Sequence, residues 1–299
     1  MTDTLATAFS DQIKRAMSLS KVETVITEEN VYQEGNAGIL SIMDEMVKTL
    51  ILPGSGIDGM ENLEELFAKS KSGKSCLLLA EHYSNMDLSI IFTLLQQAGD
   101  RGNDIRDSII AISGMKLNED NPVVAAFAGA YTRIVIYPSR SLQGLDPDKY
   151  KAELIRSNSI NRAAMKALIR QKYKGNLVLV FPSGTRYRPW DPETKKGIRE
   201  IDSYIRSFDY MCFAALNGEV LHVQKTDMIN DAVSKDIVRV TAGPVINCSD
   251  FREEARDSAP EDADKKQAVA DAIMNELEKM HIAAEEKRKN LENTGKTKL

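Results

Sequence analysis

The stretch HYSNMD, residues 82–87, sets a histidine and a carboxylate five positions apart, just after the apolar run CLLLA (76–80). His82 is one of three histidines in the chain. The strand should end near Ala80. Ser84 and Asp87 have capping-box spacing, which predicts a helix starting at Ser84 with Asp87 in its first turn. A loop folding back over that helix start brings the imidazole to the carboxylate. Asp87 then holds one ring proton of His82 and leaves the other nitrogen free as a base. No serine or cysteine nearby is an obvious nucleophile, so the base would act directly on a substrate hydroxyl. General-base assistance of this kind contributes about 10²–10⁴-fold. The same spacing equally suits an aspartate that only caps its helix and a histidine that only bonds locally. A strand-end position favours chemistry.

A second stretch, FPSGTRYR (181–188), also follows an apolar run. Pro182, Ser183, Gly184 and Thr185 make a tight polar turn, and its backbone N–H groups near Ser183 and Gly184 are candidate donors to an oxyanion. Arg186 and Arg188 are two residues apart, so in extended chain both point the same way. Guanidinium forks suit phosphate oxygens. Arg140, in YPSRS after the run at 133–137, can add a third positive group from a neighbouring strand end. The alternative makes these arginines ion-pair partners of Asp191 or Glu193.

Other signals exclude chemistry. GKS at 73–75 is no phosphate loop, because Ala68 stands where the first glycine is needed and the segment precedes a strand. His82, His222 and His281 are too scattered for a metal site. His222 reads as a strand or rim residue and His281 as a surface residue beside the last apolar stripe.

These loops need a scaffold. Apolar strand candidates fall at 76–80, 108–113, 133–137, 176–181, 211–216 and 237–243. Several alternate with helical patterns, such as Ile160, Ala163, Ala164, Ala167 and Leu168 on one face. The expected class is α/β: a mixed, mostly buried sheet with helices on both faces, preceded by a small N-terminal helical bundle. Phe9, Ile13 and Met17 form one early stripe, Ile39, Met43, Val47 and Leu50 a second, and a short helix follows the break LPGSGIDG (52–59). The expected division is a helical unit over 1–70 and an α/β unit over 71–299. Val269, Ile273, Leu277 and Met280 make a last stripe that should pack on the body. Met115, Phe127 and Phe208 are read as core rather than as a groove.

With 299 residues, 42% of them hydrophobic, the chain suits one large domain or one with a smaller companion. No apolar run approaches the roughly 20 residues of a bilayer span, and the start lacks a signal-peptide pattern. Cys76, Cys212 and Cys248 suggest no disulfide framework, hence a reducing compartment. Charge is uneven. Residues 1–70 carry 5 basic and 12 acidic side chains, residues 131–206 carry 16 and 7. The middle of the chain suits either an anionic substrate or partner or an ordinary solvated surface. No nucleic-acid motif accompanies it.

HYSNMD and FPSGTR together resemble the two signature blocks of the glycerolipid acyltransferase superfamily, which carries the H-x4-D motif. The resemblance extends over about 75–245 and is closer to the chloroplast-type glycerol-3-phosphate acyltransferases. PSG stands where lysophosphatidate acyltransferases generally have PEG, and YTRIVIYPSRS looks like the family's strand and basic cluster. The N-terminal helical unit also matches that branch. Ser139 and Ser141 depart from it, leaving part of the phosphate cage neutral.

The resemblance implies that His82 is the base, Asp87 its orienting carboxylate, and Arg140, Arg186 and Arg188 the phosphate ligands. It implies acyl transfer from acyl carrier protein or coenzyme A to the sn-1 hydroxyl of glycerol 3-phosphate, with no bound cofactor or metal. It also implies transient contact with a membrane surface. The alternatives are a lysophosphatidate acyltransferase and a non-catalytic binder of phospholipid or acyl carrier.

Overall fold

The computed structural model describes residues 3–21, 23, 25–119, 121–142, 146 and 149–296, with side chains to residue 291. Its strands are β1 (Tyr32–Gln33), β2 (Gly56–Asp58), β3 (Cys76–Ala80), β4 (Ile109–Gly114), β5 (Arg133–Ile136) and β6 (Leu177–Val180). After these come β7 (Tyr210–Asn217), β8 (Leu221–His222), β9 (Ala232–Val233), β10 (Arg239–Ala242) and β11 (Ile246–Asn247). Eight run in the order β1-β5-β4-β6-β3-β7-β10-β2, and β11 adds to β7. β8 and β9 form a separate hairpin. The five central strands from β5 to β7 are mutually parallel, while β1 and β10 attach antiparallel at their outer sides. All six strands expected from apolar runs are present.

β3 lies at the centre with all five residues buried, between β6 and β7. Its side chains alternate, as the pleat requires. Cys76, Leu78 and Ala80 join a core with helices Ala37–Leu50 and Asp87–Gln97. Leu77 joins the opposite core, with helices Lys151–Gln171 and Lys265–Lys296. Continuous apolar strands thus serve two covered faces. Met115 and Phe208 are buried in the second core and Phe127 packs against the first, as core residues should.

The helical stretch over 1–70 is joined to the sheet. Residues 1–70 form helices at Ser10–Leu19, Ala37–Leu50 and Met60–Lys71, but also supply β1 and β2. β1 pairs with β5, and β2 pairs parallel with β10. Ile42, Met43, Met46 and Val47 share one core with Leu78 and Leu94. The bundle is therefore one face of the sheet's own covering. Asp44 reinforces this, accepting from Arg106 (2.6 Å) and Thr93 (2.9 Å) inside that layer.

Because the central strands are parallel, the loops after β3, β5 and β6 leave from the same edge of the sheet. Those loops carry His82, Arg140, and Arg186 with Arg188. This is the edge where open α/β sheets place their sites.

Candidate active site

The backbone of β3 continues one residue past its end, with Glu81 N–H donating to the Ala214 carbonyl (3.1 Å). His82 comes next, its side chain about one-fifth exposed (19%). Its Nδ1 lies 2.9 Å from Asp87 Oδ2. That carboxylate also accepts from the backbone N–H groups of Tyr83 (2.5 Å) and Ser84 (2.9 Å), and its Oδ1 from the Ser84 hydroxyl (2.7 Å). The Asp87 carboxylate has two structural roles. It closes the turn and it grips the imidazole.

The helix starts later than expected, at Asp87 rather than Ser84. The reason is local. Ser84 and Asp87 bond each other inside the tight turn before the helix, and the Ser84 hydroxyl accepts from Met86 N–H (3.1 Å). The capping chemistry is spent on the turn, and Met86, at the N-cap, makes no side-chain cap bond.

The loop after β6 is the hub of the site. Phe181 stacks on the His82 ring, with centroids 4.1 Å apart and planes 15° from parallel. Tyr187 N–H donates to the His82 carbonyl (2.8 Å). The two motifs, about 100 residues apart in sequence, thus touch directly through a ring stack and a backbone hydrogen bond. Arg140 reaches the same loop from beyond β5, with Nη2 donating to the Lys196 carbonyl (3.4 Å).

Arg186 is largely enclosed, and one nitrogen, Nη1, donates to Asp231 (2.9 Å). Asp231 is fully buried and also accepts from Gln224 N–H (2.8 Å). Burial pushes its carboxyl above the usual range, against the pull of the Gln224 N–H and of Arg186. A guanidinium with one donor committed to a carboxylate is oriented and still has others to offer. Arg188 donates its backbone N–H to the Thr194 hydroxyl (2.8 Å) and its carbonyl accepts from Asp191 N–H. Among the described residues its guanidinium has no carboxylate partner, and Glu193 pairs with Lys196 instead. The ion pairs to Asp191 or Glu193 weighed from sequence do not form. Nor is 186–188 an extended strand; it is loop, held by its hydrogen bonds.

The oxyanion expectation needs correcting at Gly184. Its N–H is spent on the Phe181 carbonyl (2.9 Å), closing the turn. Its φ of +65° and the approach of Ile198, 3.1 Å from where a Cβ would sit, explain why glycine stands there. Ser183 is buried with its hydroxyl donating to the Thr185 carbonyl (2.7 Å). Both residues build the turn that presents the arginines.

Sequence reasoning missed a second layer. His281, expected on the surface, is partly buried, with Nδ1 2.9 Å from Glu81. The other Glu81 oxygen accepts from the Tyr83 hydroxyl (2.8 Å). Glu81 and Tyr83 flank His82 in sequence, so the C-terminal helix Lys265–Lys296 is tied to the turn that carries His82. Burial works against a charged His281, but the hydrogen bond and charge of Glu81 outweigh it and raise its pKa. Phe181 and Asp231 were likewise not foreseen. A phenylalanine opening FPSGTR offers no sign that it will stack, and Asp231 lies 45 residues from Arg186 in a loop of ordinary composition.

His222 sits in the β8–β9 hairpin with Nε2 2.8 Å from the Ser234 hydroxyl, the rim role expected of it. Among the described residues no group of histidine, cysteine or acidic side chains could hold a metal ion, and no helix is long and apolar enough to cross a membrane. Two cavities of about 350 and 400 Å³ open beside Arg133 and beside Phe67. Neither is lined by His82, Asp87 or the three loop arginines.

No family model matches the chain, and no curated protein matches it. Among solved structures, the 1-acyl-sn-glycerophosphate (LPA) acyltransferase PlsC from Thermotoga maritima aligns over 81% of this chain and 80% of that chain, at 12% identity and a TM-score of 0.43. At that likeness the functional reading rests on the geometry of the site.

Proposed function

We propose that this chain is an acyltransferase that moves a fatty acyl group from a thioester to a hydroxyl of a phosphorylated glycerol. The supporting observation is the contact between the two loops. A histidine oriented by a carboxylate on Nδ1 stands against the loop that carries two arginines and meets a third.

With Nδ1–H donated to Asp87, Nε2 carries the free lone pair. It takes the proton of the acceptor hydroxyl as that oxygen attacks the thioester carbonyl. The tetrahedral intermediate collapses, the carbon–sulfur bond breaks, and the imidazolium returns its proton to the leaving thiolate. No acyl-enzyme is needed. Asp87 stabilises the transient imidazolium electrostatically without taking its proton. The Phe181 stack restricts the ring, and Asp87 sets its tautomer. Arg140, Arg186 and Arg188 hold the acceptor's phosphate, so binding energy from a group that does not react positions the one that does.

Within this reading the acceptor is glycerol 3-phosphate, acylated at sn-1 to give lysophosphatidate. The donor is acyl carrier protein or coenzyme A, both anionic, and the excess of basic side chains over 131–206 complements either. Ser183 in place of the glutamate common among lysophosphatidate acyltransferases supports this acceptor. Lysophosphatidate, the acceptor class in the name of the Thermotoga enzyme, is the second reading.

The experiment is an acceptor comparison. Purified protein is given a long-chain acyl thioester on each carrier, with radiolabelled glycerol 3-phosphate or lysophosphatidate, and products are resolved by position of acylation. The proposal expects carrier thiol release only with acceptor, and 1-acyl product from glycerol 3-phosphate. Diacylated product alone moves the reading to the second acceptor. Free fatty acid irrespective of acceptor marks a hydrolase, and no thiol release at all marks a non-catalytic binder.

A further inference from the structure

The 21-residue helix Lys151–Gln171 buries Ser157, Ile160, Ala164 and Leu168 against the sheet. An ordinary surface helix would be polar on the opposite side. This one is not. Ile155 is 61% exposed, Met165 43% and Ile169 52%, and Tyr173, just past the end, is 55% exposed. At 100° per residue these four fall within about 80° of arc. Arg162, Lys166 and Arg170 are exposed on the same side of the helix. None of these three has a carboxylate partner among the described residues. Over 151–174 there are seven basic side chains and one acid. That acid, Glu153, is turned toward the Tyr137 hydroxyl (2.6 Å) and Arg156 (3.5 Å). The result is an outward stripe of bulky apolar side chains set among unpaired cations.

We infer that this face docks the protein on an anionic lipid surface, with the apolar stripe seated at the headgroup–acyl boundary and the basic residues on lipid phosphates. Charge complementarity names the partner's sign, and apolar side chains interleaved with basic ones are the pattern of a helix lying in a membrane interface. An acidic protein would also match the cations, but the row of bulky apolar side chains along the helix, set among basic ones, favours a lipid surface. The orientation also suits the site. Asn161, at the middle of the helix, bonds both the N–H (2.8 Å) and the carbonyl (3.0 Å) of Tyr137. The helix is thereby pinned beside the strand end that leads to Arg140. The inference deepens the proposed function by naming where a lipid product would leave, but its observations do not depend on that activity, and neither does its test.

The test is co-sedimentation of the full chain with vesicles of pure phosphatidylcholine and of phosphatidylcholine with phosphatidylglycerol, with no thioester or acceptor present. The wild-type chain should bind the anionic vesicles, and raised salt should weaken binding. Replacing Arg162, Lys166 and Arg170 by Gln should weaken it by about two orders of magnitude, at roughly fivefold per basic residue near an anionic leaflet. Replacing Ile155, Met165 and Ile169 by Ser should weaken it at least about tenfold while leaving the charge intact. These sites are exposed, and unchanged melting temperatures would show that the variants fold. Wild-type protein that ignores anionic vesicles overturns the inference, as does a serine variant that binds like wild type. If vesicle binding is absent and the glutamine variant loses binding to an acidic acyl carrier protein, the face belongs to a protein partner instead.

Discussion

Asp87 accepts hydrogen bonds from the His82 ring, from two backbone N–H groups and from the Ser84 hydroxyl, while buried at the start of a helix. Orientation of the His82 imidazole and closure of the turn therefore share one carboxylate. An amide at this position offers one acceptor oxygen where there were two and adds a donor. Asp87→Asn should lower kcat by about 10²–10⁴-fold, the range of a general-base contribution, by disturbing the tautomer and pose of His82. KM for the phosphorylated acceptor should hold within a few-fold, because the arginines sit on other loops. Steady-state kinetics beside a thermal melt would separate this from simple unfolding. The pair itself was legible, since a histidine and an aspartate flank a polar turn after an apolar strand. The helix start was not, because capping-box spacing does not reveal whether the bonds cap a helix or knit the turn before it. Arg186's commitment to Asp231 was hidden for another reason, since a loop carboxylate 45 residues away has no pattern linking it to the motif.

At the scale of elements, the C-terminal helix Lys265–Lys296 does more than cover the sheet. Its apolar stripe, Val269, Ile273 and Leu277, is buried as the periodicity predicts. One turn further on, His281 meets Glu81 and Tyr83 on either side of His82. That contact spans 200 residues, so nothing local in the sequence announces it. It carries a pH signature. The pKa of His281 is raised in the folded protein by Glu81, and a raised value means the charged form is favoured by folding. Its contribution to stability is fully present below the unfolded histidine pKa of about 6.5 and is lost as pH rises through the folded value. His281→Asn should erase that component. Melting temperature measured from pH 5.5 to 9 should show wild type losing more stability than the variant across the upper part of the window. Parallel curves would mean that the Glu81–His281 contact contributes nothing to folding. Asp44 with Arg106 plays the comparable structural part on the other face, tying the helix that begins at Asp87 to the N-terminal layer through Thr93.

For the whole molecule, the sequence reveals the strands that are buried on both faces, because a continuous apolar run such as CLLLA admits few other readings. It does not reveal β1 and β2, two and three residues long, which are half-buried and without apolar periodicity. Those two short strands join the first 70 residues to the sheet. The parallel arrangement of the centre brings three separate sequence motifs to one edge of the sheet, since the turns after β3, β5 and β6 must emerge there. The uneven charge was legible as a count over 131–206, but its most coherent expression, the outward face of Lys151–Gln171, needed the helix's orientation. The central claim is that His82, held by Asp87 against the arginine loop, is the base in acyl transfer. Its most direct test is His82→Ala, assayed for acyl transfer to glycerol 3-phosphate and for binding of that acceptor by calorimetry. Turnover should fall at least about 100-fold, with acceptor affinity changed no more than a few-fold. Full transferase activity in a folded His82→Ala protein would contradict it.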